Sequence, residues 1–387
     1  MKPVAIFFML FLVFSFSKAQ NISQIIDEVK LDSLVKTVRE FSGEDSVIVS
    51  GTKTVIKNRA AYLGFNLAEN YLIEQLTKYQ LQVQTQKYSI NGLNILGIQQ
   101  GTKNQESAYI ICAHHDAVAN FCADDNASGV AAVLETARVL SSKCIENTII
   151  YAFWDEEEAG LWGSDYYART AASAGQKIAG IINMDMLGYD SNNDRKFDIH
   201  VYGDPSSTCF ADSIINIIAR CKLELQPQII NPGSDRSDHY SFWRRGYYNA
   251  ILYGERIFND DANPAYHSND DRIGLFNLPY FYELAKLTAG LTASLSGLCA
   301  TNAVTTEMPV LKVKLFPNPV AGLLEIELPN SFETLVQITD LQGRVLFKNQ
   351  FLAQKFSIDF STYSKGVYLV RLQNCKGIYT GKVACFK

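Results

Sequence analysis

Residues 107–116 read SAYIICAHHD, residues 124–140 read DDNASGVAAVLETARVL, and residues 147–158 read NTIIYAFWDEEE. The first is a short apolar run of strand length that ends in imidazole and carboxylate. The second opens on carboxylates and continues with Val130, Val133 and Val139 among alanines, at helical spacing. The third is again a continuous apolar run, closed by four acids. Strands apolar on both faces and separated by a helix predict parallel pairing in a sheet covered on both sides.

The same alternation extends outward. Helical spacing is expected over Leu31–Phe41, Asn58–Tyr79, a segment from Leu161, and Ala211–Cys221. Further strands are expected at Ile178–Met184 and Tyr247–Leu252. The fold class that follows is α/β, a mainly parallel mixed sheet flanked by helices. Periodicity leaves the strand order open.

The 387 residues are 47% hydrophobic and 19% charged, which excludes a disordered or fibrous chain. A formal charge of −5 argues against wholesale nucleic-acid binding. Residues 1–18 read MKPVAIFFMLFLVFSFSK, with a lysine at position 2 and an apolar run of about 13 residues, short for a bilayer core of about 30 Å. With Ala19 at the exit, residues 1–19 are expected to be a secretory signal peptide, with a membrane anchor as the other reading. Of the eight cysteines none forms a C-x-x-C pair. Cys375 and Cys385 flank an expected hairpin and are the readiest pair.

Charge divides the chain. From Pro309 onward there are ten Lys/Arg and five Asp/Glu, whereas residues 20–308 carry 23 and 35. Small polar residues fill 299–308. The expected organisation is a larger domain over 20–298, a linker over 299–308 and a tail domain over 309–387.

Chemistry gathers beside the apolar runs. His114, His115 and Asp116 end the first strand, and Asp124 and Asp125 precede a helix. Asp155–Glu158 end the next strand, Asp185 follows Ile178–Met184, and Tyr266-His267 stand in a later polar stretch. In open α/β sheets the ligand crevice lies outside the carboxyl ends of the strands. Imidazole and carboxylate suit zinc and neighbouring first-row metals. Two histidines and three carboxylates can hold two metals if one carboxylate bridges, and a further carboxylate can move a proton. Each piece alone has an ordinary reading. His115 packs, Asp155–Glu158 forms an exposed acidic turn, Asp185 caps a turn, and His200 and His239 are as readily structural as functional. Joint placement at strand ends is what favours a site.

The stretches AHHD (113–116), DDNASGVAAVLE (124–135), FWDEEEAGLWGS (153–164), INMDMLGY (182–189), SDHYSFW (237–243) and YHSNDD (266–271) resemble, in order, those of the two-zinc aminopeptidases of metallopeptidase family 28. The resemblance implies two Zn2+ ions, one held by His114, Asp125 and Asp185, the other by Asp125, Glu158 and His267. It implies Glu157 as general base, Tyr266 as an aid to the scissile carbonyl, and Asp116, Asp238 and His239 as supporting groups. Peptides are the implied substrates. Within the same superfamily, glutaminyl cyclisation and carboxypeptidase action remain alternatives, the latter through Arg244 or Arg245. A non-catalytic surface binding protein is a further alternative, which decayed ligands or a missing base would have favoured.

The tail carries Phe316-Pro317-Asn318-Pro319, then LLEIELP, LVQITDLQGRVLF, FSIDF, GVYLVRLQN and GIYTGKVACF. Alternation between turns predicts a small antiparallel β-sandwich. FPNP, GVYLVRL and the closing lysine resemble the type IX secretion C-terminal sorting domain. That resemblance implies the outer-membrane secretion machinery as a partner and a secreted or cell-surface location.

Overall fold

The computed structural model describes residues 21–60, 65–256, 261–299, 311–374 and 376–386. The expected signal peptide, most of the expected linker and Cys375 lie outside them.

Two helices, α1 (Ile22–Asp27) and α2 (Leu31–Phe41), lead into a hairpin of β1 (Val47–Val49) and β2 (Thr52–Thr54) and then α3 (Phe65–Lys78). The main sheet comprises β3 (Gln82–Lys87), β4 (Leu93–Gln99), β5 (Asn104–His114), β6 (Asn147–Trp154), β7 (Lys177–Met184), β8 (Lys196–His200), β9 (Gln226–Ile230) and β10 (Ala250–Gly254). Their order is β3-β4-β6-β5-β7-β10-β8-β9. The four central strands, β6, β5, β7 and β10, run parallel. β4 joins β6 antiparallel and β8 joins β10 antiparallel, which makes the sheet mixed. Chain crossovers leave β5 toward β6 on one side and return to β7 on the other, so the carboxyl end of β5 sits at a topological switch point.

Between the strands run α4 (Gly129–Leu140), α5 (Trp162–Ser173), α6 (Pro205–Cys221) and the short α7 (His239–Trp243), and α8 (Leu278–Ser296) follows β10. α4 is buried almost throughout, and its alanines allow close approach to β5 and α8. Gly129 at its start admits no side chain, because a Cβ there would lie 2.3 Å from Asn126 Oδ1 and 2.9 Å from the Met184 carbonyl. α6 starts at Pro205, six residues before the helical spacing does, because Asp204 caps it and proline suits a first helical position. α8 was not anticipated. Twelve of its residues are buried, so it shows no polar stripe for periodicity to detect.

Residues beyond 311 form antiparallel sheets of three strands, β11 (Lys314–Phe316), β12 (Leu323–Glu327) and β15 (Lys355–Asp359), and four, β13 (Glu333–Thr339), β14 (Val345–Leu352), β16 (Gly366–Asn374) and β17 (Gly377–Cys385). Leu324 and Ile326 of one sheet and Val336, Val370 and Val383 of the other share a core separate from that of the main sheet. Asn318 ties FPNP to the last strand, accepting from the Ala384 N–H at 2.9 Å and donating to the Lys382 carbonyl at 2.8 Å.

Cys385 is a buried free thiol, so the pairing expected with Cys375 does not form. Cys144 and Cys299, 155 residues apart, are joined instead. They follow α4 and α8, whose packing brings them together. Closing so long a loop restricts the unfolded chain, which is worth about 2–4 kcal/mol. The double variant C144A/C299A is therefore expected to melt roughly 5–10 °C lower than wild type in a thermal scan.

Candidate metal centre

Five segments reach one end of the sheet. β5 ends in His114, the turn 123–128 carries Asp125, the exit of β6 carries Glu157 and Glu158, the exit of β7 carries Asp185, and a loop before α8 carries Tyr266 and His267. Asp125 turns one oxygen to each histidine, with Oδ1 3.2 Å from His114 Nε2 and Oδ2 3.2 Å from His267 Nε2. His114 Nε2 also lies 3.4 Å from Asp185 Oδ1, and His267 Nε2 lies 3.1 Å from Glu158 Oε2. Ligand atoms of His114, Asp125 and Asp185 fall within 4.8 Å of one another, as do those of Asp125, Glu158 and His267.

These separations fit metal. Four ligands at about 2.0–2.1 Å around a tetrahedral ion are about 3.3 Å apart, and the four measured distances bracket that value. The donor set is imidazole and carboxylate, and Glu158 Oε1 is buried with no hydrogen-bond partner among the described residues. The electrostatics agree. Burial and the Asp125 charge push the Glu158 carboxyl up to about 8. Burial, with Asp238 and Asp185 nearby, raises that of Glu157 well above the usual range against the pull of His114. Burial opposes the imidazolium of His114, yet Glu157 and Asp185 outweigh it and raise its pKa. A cation here offsets this crowding of acids.

Around this group the backbone supplies the partners. Asp116 accepts the N–H groups of Glu157 and Glu158 at 3.1 and 3.2 Å and lies 3.4 Å from His114 Nδ1. Asp124 faces away from the histidines and accepts from the Gly188 N–H at 2.7 Å and Asn263 Nδ2 at 2.9 Å. Asp271 accepts the N–H groups of both Asp124 and Asp125. Ser237 donates to Asp185 Oδ2 at 2.7 Å. Of these, Ser237 and Asp271 lie inside quoted motifs but received no role from the sequence, because nothing in their spacing says what they touch.

A cavity adjoins the group, lined by Glu157, Tyr266, Met186, His200, Leu252 and Glu255 among others. Tyr266 stacks on the His267 ring at 3.7 Å and is 44% exposed. Gly254 in its wall is obligatory, since a Cβ would lie 1.9 Å from the Asp185 carbonyl. Of the other residues singled out, His115 is buried, with Nε2 3.2 Å from the Leu93 carbonyl. Asp155 is buried and accepts from the Leu93 and Glu156 N–H groups, so the acid run is not an exposed turn as a whole. Asp238 is buried, its carboxyl pushed up to about 7 by burial. His239 is buried, with Nε2 2.8 Å from the Ser234 carbonyl. Arg244 and Arg245 both bond Asp165, and neither lines the cavity.

Residues 94–291 match the model of peptidase family M28. The chain belongs to that family. Residues 314–385 of this M28 chain match the secretion system C-terminal sorting domain. A probable leucine aminopeptidase of Arthroderma otae is 32% identical over 204 residues, 49% of this chain and 55% of that protein. The chain thus spans about half the length of the curated relatives it matches. Among solved structures, the LapA aminopeptidase of Legionella pneumophila superposes with a TM-score of 0.60 at 21% identity, over 72% of this chain and 75% of that one. The glutaminyl cyclase of Porphyromonas gingivalis does so with 0.57 at 16%, over 69% and 98%. These two likenesses establish the shared fold.

Asp116 provides a test of the arrangement. D116A removes the acceptor of two N–H groups that orient adjacent acids. The folded variant is expected to bind zinc roughly 10–100-fold more weakly than wild type, measured by competition with a chromogenic chelator.

Proposed function

We propose that this M28 chain is a secreted zinc-dependent aminopeptidase that removes N-terminal residues from peptides. The observation that carries the reading is Asp125, with one oxygen toward His114 and the other toward His267, each histidine being grouped with one further carboxylate, Asp185 or Glu158. His114, Asp125 and Asp185 would hold one zinc ion, and Asp125, Glu158 and His267 a second. Zinc there supplies a water of lowered pKa and polarises the scissile carbonyl.

The remaining work belongs to the chain. Glu157 lines the cavity and is not needed by either trio. It takes the proton of the attacking water and delivers it to the departing amine. Asp116 fixes Glu157 and Glu158 through their own N–H groups, so the base and its neighbour keep their relative positions. Tyr266, held against the His267 ring, offers its hydroxyl to the carbonyl oxygen as charge develops there. Arg244 and Arg245, the candidates for receiving a terminal carboxylate, bond Asp165 away from the cavity.

The domain limits proposed are a signal peptide over 1–19, the peptidase over 20–298, a linker over 299–308 and the sorting domain over 309–387. The sorting domain serves export across an outer membrane, with the secretion machinery as partner.

Leucine p-nitroanilide hydrolysis by the purified full chain should vanish on chelation and return with zinc. E157Q should keep its zinc and lose about 10²–10⁴-fold in kcat, with metal content read by elemental analysis. Full activity in E157Q would remove Glu157 as the base. Cyclisation of an N-terminal glutaminyl peptide without hydrolysis would replace aminopeptidase by cyclase. A chain ending at residue 305 should retain hydrolysis when purified and fail to reach the medium when expressed in a host with the matching secretion system.

A further inference from the structure

Cys209, on α6, is half-buried and disulfide-bonded. Its partner follows by elimination. Of the eight cysteines, Cys144 and Cys299 hold each other, and Cys112, Cys122, Cys221 and Cys385 are free thiols. The one that remains is Cys375, which lies outside the described residues, between the end of β16 at Asn374 and the start of β17 at Gly377.

The residues on either side of Cys375 point to the same helix. Lys376 Nζ donates to Asp212 Oδ2 of α6 and lies over the Phe332 ring. Asp212 is three residues after Cys209, and residues three apart share one face of a helix. The bonded sulfur and the ion pair therefore stand side by side on α6 and meet the same turn of the tail. That turn is braced from within. Asn374 Oδ1 accepts the Lys376 N–H at 2.9 Å, and the Asn374 amide donates to Thr334 Oγ1 at 3.1 Å. Cys385 sits at the other end of the hairpin, opposite Gly366, with its thiol turned toward the Tyr363 carbonyl. Charge favours the same approach. The tail carries ten Lys/Arg against five Asp/Glu, and the larger domain has an excess of acids.

We propose that Cys209 and Cys375 form a disulfide that ties the sorting domain to α6 of the peptidase domain. One thiolate attacks the disulfide of an oxidised dithiol protein to give a mixed disulfide, and the second thiolate displaces that protein. Two electrons and two protons pass to it, and it leaves as a dithiol. Such a bond persists in an oxidising compartment, which is where an exported chain folds. The tie makes the union of the two domains independent of residues 300–308. A cut there leaves them joined until the bond is reduced or exchanged, and Cys144–Cys299, both before the cut, plays no part in holding them. No residue of α6 lines the cavity among the described residues, so hydrolysis does not require the tie. The proposal does not depend on the aminopeptidase reading.

The full chain, expressed into an oxidising compartment, is blocked with N-ethylmaleimide and digested with trypsin without reductant. Residues 197–220 carry Cys209 and residues 372–376 carry Cys375, each as the only cysteine of its tryptic peptide. The expected ion in mass spectrometry is these two peptides joined less two hydrogens, split by reductant. For a second measurement, a site-specific protease sequence is inserted between Thr305 and Thr306 of the full chain. After the cut, wild type should run as one species in denaturing electrophoresis without reductant and as two with it. C209S and C375S should each run as two under both conditions, and C385S should run as wild type does. Cys209 labelled by N-ethylmaleimide, a peptide joining Cys375 to Cys385, or separation of the cut wild type without reductant would overturn the tie.

Discussion

Four carboxylates and two imidazoles meet at one end of the sheet, and no such group is stable without a counter-charge. At an effective dielectric constant near 20, two like charges 4 Å apart repel by about 4 kcal/mol. Burial, and after it that repulsion, pushes the carboxyls of Glu157 and Glu158 up. Asp125 is the pivot, because its two oxygens are shared between the two histidines at 3.2 Å each. A cation held there would convert mutual repulsion into ligation. The parallel arrangement of β6, β5, β7 and β10 is what delivers the acids. Strands running the same way end together, so charged residues that follow apolar runs in sequence become neighbours in space.

Holding the acids close has its own cost, and the fold offsets it with rigid backbone. Gly129 and Gly254 sit where a Cβ would collide with the Met184 or Asp185 carbonyl, so helix and strand approach the exit of β7 at backbone distance. Asp271, on the loop that also carries His267, takes the N–H groups of Asp124 and Asp125. One contact therefore fixes the loops of both histidine partners relative to each other. The disulfide between Cys144 and Cys299 works at the opposite end of α4 and α8, where it steadies the packing without approaching the cavity.

Much of this was legible because chemistry interrupted hydrophobic runs at their ends. SAYIICAHHD and NTIIYAFWDEEE announce both strand and site, and β6 occupies the span its apolar run predicts. The choice of Asp125 over Asp124 came from family resemblance, and Asp124 does turn away toward Gly188 and Asn263. Strand order was hidden, because the antiparallel edge strands β3 and β4 are joined to the centre only by tertiary pairing. α8 was hidden by being apolar on nearly every side. The partners of Asp271 and Asp116 lie 146 and 41 residues away along the chain, a distance at which local pattern carries no information.

The manner in which the buried acids are satisfied also bears on function. Asp116, Asp155 and Asp271 accept backbone N–H groups, and Asp124 accepts one together with a side-chain amide. The buried guanidinium nearby, Arg59, gives its hydrogen bonds to the carbonyls of Phe41, His115, Phe121 and Cys122 rather than to a carboxylate. Dipoles stabilise an anion without cancelling its charge, whereas a lysine or arginine partner would neutralise it. A centre surrounded by neutral donors keeps a net negative potential, and that potential is what draws and retains divalent cations. An acid cluster built only for stability would gain more from direct ion pairs. The preference for backbone donors around His114, Asp125 and Glu158 therefore marks a region shaped around mobile positive charge supplied from outside the chain.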